Sequence, residues 1–193
     1  MANKIKYGLK NVYYAVATIA QDGSATYAAP VRIPGAVNLS LDAQGESTPF
    51  YADNIVYYVS VANNGYQGDL EIALVPDAFK RDVLGYRAGG NKILVESANA
   101  PTVNFALLFE FAGDTKARRH VLYNCTAARP SVSGATKTES IEPQTESLTL
   151  TATTIYNAAL QDDIVKGETD DTTADTVYNA WFEQVTVPTA PTP

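Results

Sequence analysis

The sequence offers few residues for catalysis or metal binding. The 193-residue chain has one histidine, His120, and one cysteine, Cys125. Counting therefore excludes a Cys/His zinc site, a two-histidine metal site and an intramolecular disulfide. Any Ser-His-Asp or Cys-His pairing would have to use His120, which lies within a strand-like run where a structural histidine is the plainer interpretation. Cys125 is expected to be a small buried apolar residue, and GxSxG, HExxH and phosphate-binding glycine motifs are absent.

Paired carboxylates are the other candidates. Asp69 and Glu71 stand two apart in a strand-like run, so both point to the face opposite Leu70 and Ile72. Glu110 alternates in the same way with two phenylalanines. As an acid/base pair these carboxylates lack a recognisable partner, which leaves simple solvated faces or an acidic wall. We expect all three to face water.

The segment 162–175 is rich in aspartate and could in principle bind calcium. Its spacing does not match an EF-hand loop, so whether it binds a cation stays open. No cofactor-binding motif is present elsewhere in the sequence, and none is expected.

Charge and composition narrow the classes of function. The chain carries 14 basic and 21 acidic residues, a formal net charge of −7. A protein that grips nucleic acid needs a basic surface, which this composition does not indicate. Charged residues make up only 18% of the chain, which suggests that part of the surface is covered by something other than water. No apolar run is long enough to span a bilayer and no signal segment is evident, so we expect synthesis in the cytoplasm and no membrane association.

In the segments that position these residues, apolar and polar residues mostly alternate with a period of two. Alternating runs predict strands at 11–19, 25–41, 55–62, 68–75, 91–96, 103–111, 118–127 and 147–156. The Asp22-Gly23 turn predicts a hairpin, and Pro30 and Pro34 indicate that the second run lies at an edge or is bulged. Residues 42–54 and 129–146 are polar and rich in turn formers, which predicts two long loops.

Two short helices interrupt the strands. One begins near Asp77, a candidate N-cap, with Phe79 and Val83 on one face and Gly85 just after its end. The other covers residues 176–184, where Val177, Tyr178, Trp181 and Phe182 form an apolar stripe. Eight or nine strands with two helices predict a mainly β protein, an antiparallel two-sheet β-sandwich with short flanking helices. We expect one domain over residues 1–187 and a flexible tail at 188–193.

Several stretches, taken in order, resemble a known family. They are KIKYGLKNVYYA at 4–15, PVRIPGAV at 30–37, FYADN at 50–54, GDLEIA at 68–73, RRHVLYNC at 118–125 and YNAWF at 178–182. Together they resemble the major tail proteins of long, non-contractile-tailed phages of Gram-positive bacteria, the family often called phi13-type. The resemblance extends over nearly the whole chain.

The resemblance implies a structural virion protein without enzymatic activity. Such subunits form a homohexamer, their rings stack into a tail tube, and the inner sheets join into a barrel through which DNA passes without specific binding. The implied partners are other copies of the chain, the tape-measure protein and the tail-end proteins. The chain is expected to lack the immunoglobulin-like domain that some relatives append.

Placed in that context, the candidate residues acquire roles. Asp69, Glu71 and Glu110 become candidates for an acidic lumen, which would repel DNA rather than hold it. The predicted loop at 42–54 becomes a candidate for ring stacking, through Asp42, Gly45, Pro49, Phe50, Tyr51 and Asn54. The competing interpretation is a carbohydrate-binding β-sandwich, because the twelve tyrosines also suit a sugar-binding sheet.

Overall fold

The computed structural model describes residues 3–136 and 143–190, and the fold is mainly β. The strands are β1 (Lys6–Ile19), β2 (Ala25–Tyr27), β3 (Val31–Arg32), β4 (Ala36–Ala43), β5 (Ser47–Ala52), β6 (Ile55–Val61), β7 (Tyr66–Ile72), β8 (Arg87–Ala88), β9 (Leu94–Val95), β10 (Asn104–Gly113), β11 (Arg118–Ala127), β12 (Glu146–Thr153), β13 (Ile155–Asn157), β14 (Asp162–Ile164) and β15 (Lys166–Glu168), and the helices are α1 (Asp77–Asp82) and α2 (Asp175–Ala180). Every strand pairing is antiparallel, as predicted.

One nine-stranded sheet forms the body of the protein. Its order is β2–β1–β10–β11–β12–β7–β4, with β3 beside β1 and β15 beside β11. The two halves of the sheet share one apolar core, to which β1 and β10 contribute Val12 and Phe105, and β7 and β12 contribute Leu70 and Leu148. The sheet therefore folds over on itself into two packed layers, which confirms the predicted sandwich-like class.

A second core lies on the outer side of the β1–β10–β11 half. Leu108, Val121 and Ile155 are buried there beneath Trp181, which follows α2. Phe182 also stacks on Tyr13, with ring centroids 4.9 Å apart. The apolar stripe predicted for residues 176–184 is thus confirmed, although α2 ends at Ala180.

Helix α1 closes one end of the first core. Phe79 and Val83 are buried as predicted, and Gly85 adopts a φ of +70° just beyond the helix. The predicted N-cap is wrong by one residue, because Pro76 is the N-cap and Asp77 begins the first turn. The count of eight or nine strands is also too low for the described residues, since several short strands were too brief to produce an alternating pattern.

The predicted loop at residues 42–54 is wrong. Strand β4 continues to Ala43, and β5 then pairs with β6 in a hairpin that we call the arm, residues 47–61. Asp53 and Asn54 have φ values of +52° and +61°, the conformation that tight two-residue hairpin turns require. Pro49 is tolerated because β5 is an edge strand with one side of its backbone unpaired.

The second predicted loop is described only in part. Residues 129–136 and 143–145 form neither strand nor helix, and β12 begins at Glu146. Residues 137–142 of that prediction, and residues 191–193 of the predicted tail, lie outside the described residues.

Gly65 fixes the junction between the arm and the body. Its carbonyl oxygen accepts a hydrogen bond from the Gln44 backbone N–H at 2.8 Å, and its φ is +92°. A Cβ at this position would lie 1.9 Å from the carbonyl oxygen of Ala152 in β12. Glycine is therefore required here for both backbone conformation and space.

We predict that Gly65→Ala lowers the free energy of unfolding by about 2–4 kcal/mol, because it combines a strained φ with a backbone clash. Gly90→Ala is the matched control, since a Cβ there meets no atom within 4 Å, and it should change stability by less than about 0.5 kcal/mol. Unfolding by urea, at protein concentrations too low for tube assembly, measures the free energy of unfolding of both variants. Equal stability of the two variants would contradict the role given to Gly65.

Candidate functional site

The outer side of the β11–β12–β7–β4 half of the sheet is uncovered and polar. Register places on it one set of side chains, which we call the polar face: Asn124 and Thr126 of β11, Ser147, Thr149, Thr151 and Thr153 of β12, Gln67, Asp69 and Glu71 of β7, and Asn38, Ser40 and Asp42 of β4. The alternate residues of the same strands, such as Leu39, Leu70 and Leu148, enter the first core. Among the residues that the structure describes, this set contains no lysine or arginine; Val37, at the bulge of β4 just before Asn38, is an exposed apolar neighbour.

Asp69 and Glu71 occupy the middle of the polar face. The Thr149 hydroxyl donates to Asp69 Oδ1 at 2.7 Å, and the Thr145 hydroxyl donates to Glu71 Oε1 at 2.6 Å. Neither carboxylate forms an ion pair with a residue that the structure describes. The two charges therefore remain unneutralised on a surface of hydroxyl and amide groups.

Glu110 does not belong to this face, and the expectation that it faces water is wrong. It lies on the outer side of β10, beneath the segment around α2, and is only 7% exposed. Its Oε2 accepts a hydrogen bond from Arg119 Nε at 3.1 Å, and its Oε1 accepts one from Asn11 Nδ2 at 2.8 Å. Alternation placed Glu110 correctly opposite the phenylalanines, but the segment around α2 covers that side of the sheet.

The arm exposes apolar side chains along its length. Phe50 is 61% exposed and Tyr57 is 71% exposed, and Tyr51, Ile55, Val56, Tyr58, Val59 and Val61 are similarly open. At roughly 200 Å² per aromatic side chain, the four rings alone expose on the order of 500 Å², which is as large as the largest apolar patch of a typical monomer. Phe50 and Tyr51 do not fold back onto their own subunit.

The polar face and the arm belong to one continuous pair of strands. β4 leads into β5 and β6 leads into β7, so the arm extends from the end of the polar face at Ala43 and Tyr66. A comparison with protein-family models matches residues 2–187 to the phage tail tube protein family. The chain belongs to the phage tail tube protein family. It is therefore a structural component of a phage tail and assembles with itself and other tail components.

That match covers almost all of the 193 residues and confirms the resemblance at the level of the family. The narrower phi13-type assignment stays a prediction. A comparison with curated proteins finds no match.

Arg119 holds α2 and the residues that follow it, together called the α2 segment (175–182), against the sheet. Its guanidinium lies 3.8 Å from the ring centroid of Tyr178 and 4.9 Å from that of Phe182. It also donates to the Tyr178 carbonyl oxygen while pairing with Glu110. Both side chains of this largely buried ion pair form further hydrogen bonds. Buried charges are tolerated when their polar atoms have such partners. Arg119 and Glu110 are thus structural.

His120 and Cys125 have the structural environments expected from the sequence. The His120 ring stacks on Phe109 with centroids 5.1 Å apart, and its Nδ1 lies 3.2 Å from Glu168 Oε2. Burial lowers the pKa of His120, the Glu168 carboxylate opposes that shift, and Lys166, Lys6 and Arg118 add to it. Burial raises the pKa of the Cys125 thiol to about 12, so it stays protonated at neutral pH.

The described residues contain no group of three or more metal-ligating side chains close enough to hold an ion. In the acidic segment, Asp170 instead accepts hydrogen bonds from Thr172 and Thr173 in a local turn. Nor does either described helix have the length and apolarity needed to cross a bilayer.

Sequence reasoning missed most of the polar face and the apolar character of the arm. The alternation of Asn38, Ser40 and Asp42 with Leu39 and Leu41 was the available signal, but the prolines upstream obscured it. The alternation in 55–61 predicted a strand without indicating that neither face would be covered.

We predict that acidification from pH 7 to pH 5.5 destabilises the subunit partly through His120. Its pKa in the folded state is below the usual 6.5, so the unfolded chain binds more protons in this range and stability falls as pH falls. His120→Gln should unfold at a lower temperature at pH 7, because it loses the stacking, but should show a smaller drop on acidification. Thermal unfolding of both proteins at the two pH values measures this. If the variant lost as much thermal stability on acidification as the wild-type protein, the role given to His120 would be contradicted.

Proposed function

We propose that six copies of this tail tube protein form a ring, that rings stack into the tail tube, and that the polar faces line a lumen through which DNA passes from the capsid to the host cell. The observation that carries the proposal is the polar face itself. A sheet face of four strands is normally covered or mixed in charge, whereas the described residues of this one present carboxylates and uncharged polar side chains with no lysine or arginine.

Electrostatics suit such a face to conducting DNA. A duplex carries about one negative charge per 1.7 Å of its axis, so lysines or arginines along the wall would bind phosphates and slow the passage. Asp42, Asp69 and Glu71 instead repel the phosphates, and the hydroxyl groups of β12 are neutral. Six copies of four strands give a barrel with a backbone diameter of roughly 48 Å, which leaves room for a duplex after side chains are added.

The arm supplies the apolar surface for stacking. Leaving Phe50 and Tyr57 in water is costly, and burying one such aromatic side chain against a neighbouring ring contributes about 1.5–3 kcal/mol. The arm is already a paired hairpin, so the backbone entropy lost on docking is smaller than for a disordered loop. Of the residues predicted from the sequence to take part in stacking, Phe50 and Tyr51 make the contact with the neighbouring ring. The others shape the strands and the turn that present these two side chains: Asp42, Gly45, Pro49 and Asn54.

The proposed role requires no catalysis and no cofactor. Partners at the two ends of the tube would be the tape-measure protein within the lumen and the tail-end proteins. A carbohydrate-binding role is less well supported, because such a site presents a flat aromatic row on one face. Phe50 and Tyr51 are adjacent on β5 and therefore point to opposite faces of the arm.

We predict that Phe50→Asp/Tyr58→Asp abolishes tube formation without unfolding the subunit. These residues are a cross-strand pair on the arm, away from both cores, so the change removes contact surface and adds charge only there. Light scattering with negative-stain microscopy measures assembly, and circular dichroism measures folding. Leu74→Asp/Ile93→Asp is the matched control, because it alters two exposed apolar residues outside the arm and should leave tubes intact. Tubes formed equally by both variants would refute stacking through the arm.

We predict that Asp69→Lys/Glu71→Lys leaves tube assembly intact but slows DNA ejection from virions, because lysines on the wall bind phosphates. Asp162→Lys/Asp163→Lys makes the same charge change on β14, outside the polar face, and should eject DNA at the wild-type rate. Fluorescence of a DNA dye after triggered ejection measures the rate. If the first variant instead fails to assemble while the control assembles, the polar face is an interface between subunits rather than the lumen.

A further inference from the structure

A cleft opens between β4 and the β10–β11 pair, at the end of the body from which the arm extends. It has a volume of about 320 Å³, at the small end of the range for ligand pockets. Apolar and aromatic side chains, among them Leu39, Leu41, Phe109 and Phe111, line it together with polar groups, and Lys6 and Lys166 stand at its rim. The Lys6 ammonium lies 5.1 Å from the ring centroid of Phe111.

The rim of this cleft carries an excess of positive charge in an acidic protein. Lys4 and Arg118 border a smaller hollow that shares Lys6 and Phe111 with the cleft. The single carboxylate of Glu168 lies within ion-pair distance of Arg118, Lys166 and His120. Among the described residues neither Lys4 nor Lys6 has an ion-pair partner. Their uncompensated charge therefore favours an anionic occupant with apolar groups.

The arm has the complementary chemistry. The sequence contains no lysine or arginine between Arg32 and Lys80, so the arm and its base carry only negative charge, from Glu46 and Asp53. Asp53 lies in the turn at the tip, two residues after Tyr51. An aromatic side chain followed by a carboxylate is the pattern that an apolar cleft with a cationic rim would accept.

We infer that the cleft is the receptor for the arm of a second copy of this chain, with an aromatic side chain of the tip inside and Asp53 beside Lys6 and Lys166. The inference rests on the proposed function and deepens it, because it names both halves of the contact. None of the arm's residues from Ser47 to Val61 lines the cleft of its own subunit.

The symmetry of such a contact agrees with a tube. Donor and receptor are different surfaces of the same chain, so each subunit offers one arm and one cleft. Contacts of this kind close into rings or extend into filaments, whereas a self-complementary patch ends at a dimer.

The first test is a disulfide between copies. Asp53→Cys/Lys6→Cys should give a ladder of oligomers on non-reducing gels when tubes are oxidised, and each single variant should not. Cys125 does not interfere, because it is fully buried. The control, Asp53→Cys/Arg87→Cys, places the second thiol on the exposed β8–β9 hairpin. Equal ladders from the two pairs, or none from the first pair in intact tubes, would overturn the inference.

Charge reversal is the second test. Lys6→Glu and Asp53→Lys should each raise the concentration needed for tube formation by about tenfold or more, and the combined variant should return to within about threefold of wild type. Lys92→Glu makes the same charge change on an exposed turn and should have no effect. If Lys6→Glu forms normal tubes at a concentration within twofold of that needed by wild type, this inference is overturned and the proposed function is not. Failure of the wild-type chain to assemble at all overturns the proposed function with it.

The same variants separate the arm from other anionic occupants. If Lys6→Glu impairs assembly but Asp53→Lys does not rescue it, the cleft receives a different segment and the inference is wrong. It is equally wrong if the free subunit binds a duplex DNA probe and Lys6→Glu abolishes that binding without changing tube assembly.

Discussion

The register of β11, β12, β7 and β4 is the constraint on which the structure depends. Because side chains alternate strictly along a strand, each of these strands supplies leucines to the core and hydroxyls or carboxylates to the outside. Leu39, Leu70 and Leu148 stand side by side on one face, as Ser40, Asp69 and Thr149 do on the other. A slip by one residue would expose the leucines and bury the carboxylates, so the requirement for a core also fixes the composition of the polar face.

The arm follows from the same two strands. β4 and β7 keep pairing until Ala43 and Tyr66, and the chain then continues as β5 and β6, where no layer lies on either side. Without a core to fill, apolar residues in the arm gain nothing within the subunit. The proposed contacts between copies of the chain would account for their presence and for the exclusion of lysine and arginine from this whole stretch.

The sequence predicts what depends on local pattern. Alternation in residues 103–111 correctly placed Phe105, Leu107 and Phe109 on one side, and the spacing of Val177 and Trp181 correctly gave an apolar stripe. What it could not predict depends on distant contacts. Glu110 is buried because the α2 segment, far away in sequence, folds over it and brings Tyr178 and Phe182 against Arg119. The turn at Asp53-Asn54 was hidden among other polar residues, which made a hairpin look like a loop.

We propose that the polar face lines the lumen of a tube. Electron cryomicroscopy of tubes assembled from the purified chain tests it most directly, at a resolution that shows strand direction and side chains. We expect an inner wall formed by β11, β12, β7 and β4 of every subunit, with Asp69 and Thr149 pointing toward the tube axis. A map in which these side chains lie between subunits or on the outer surface of the tube would contradict it.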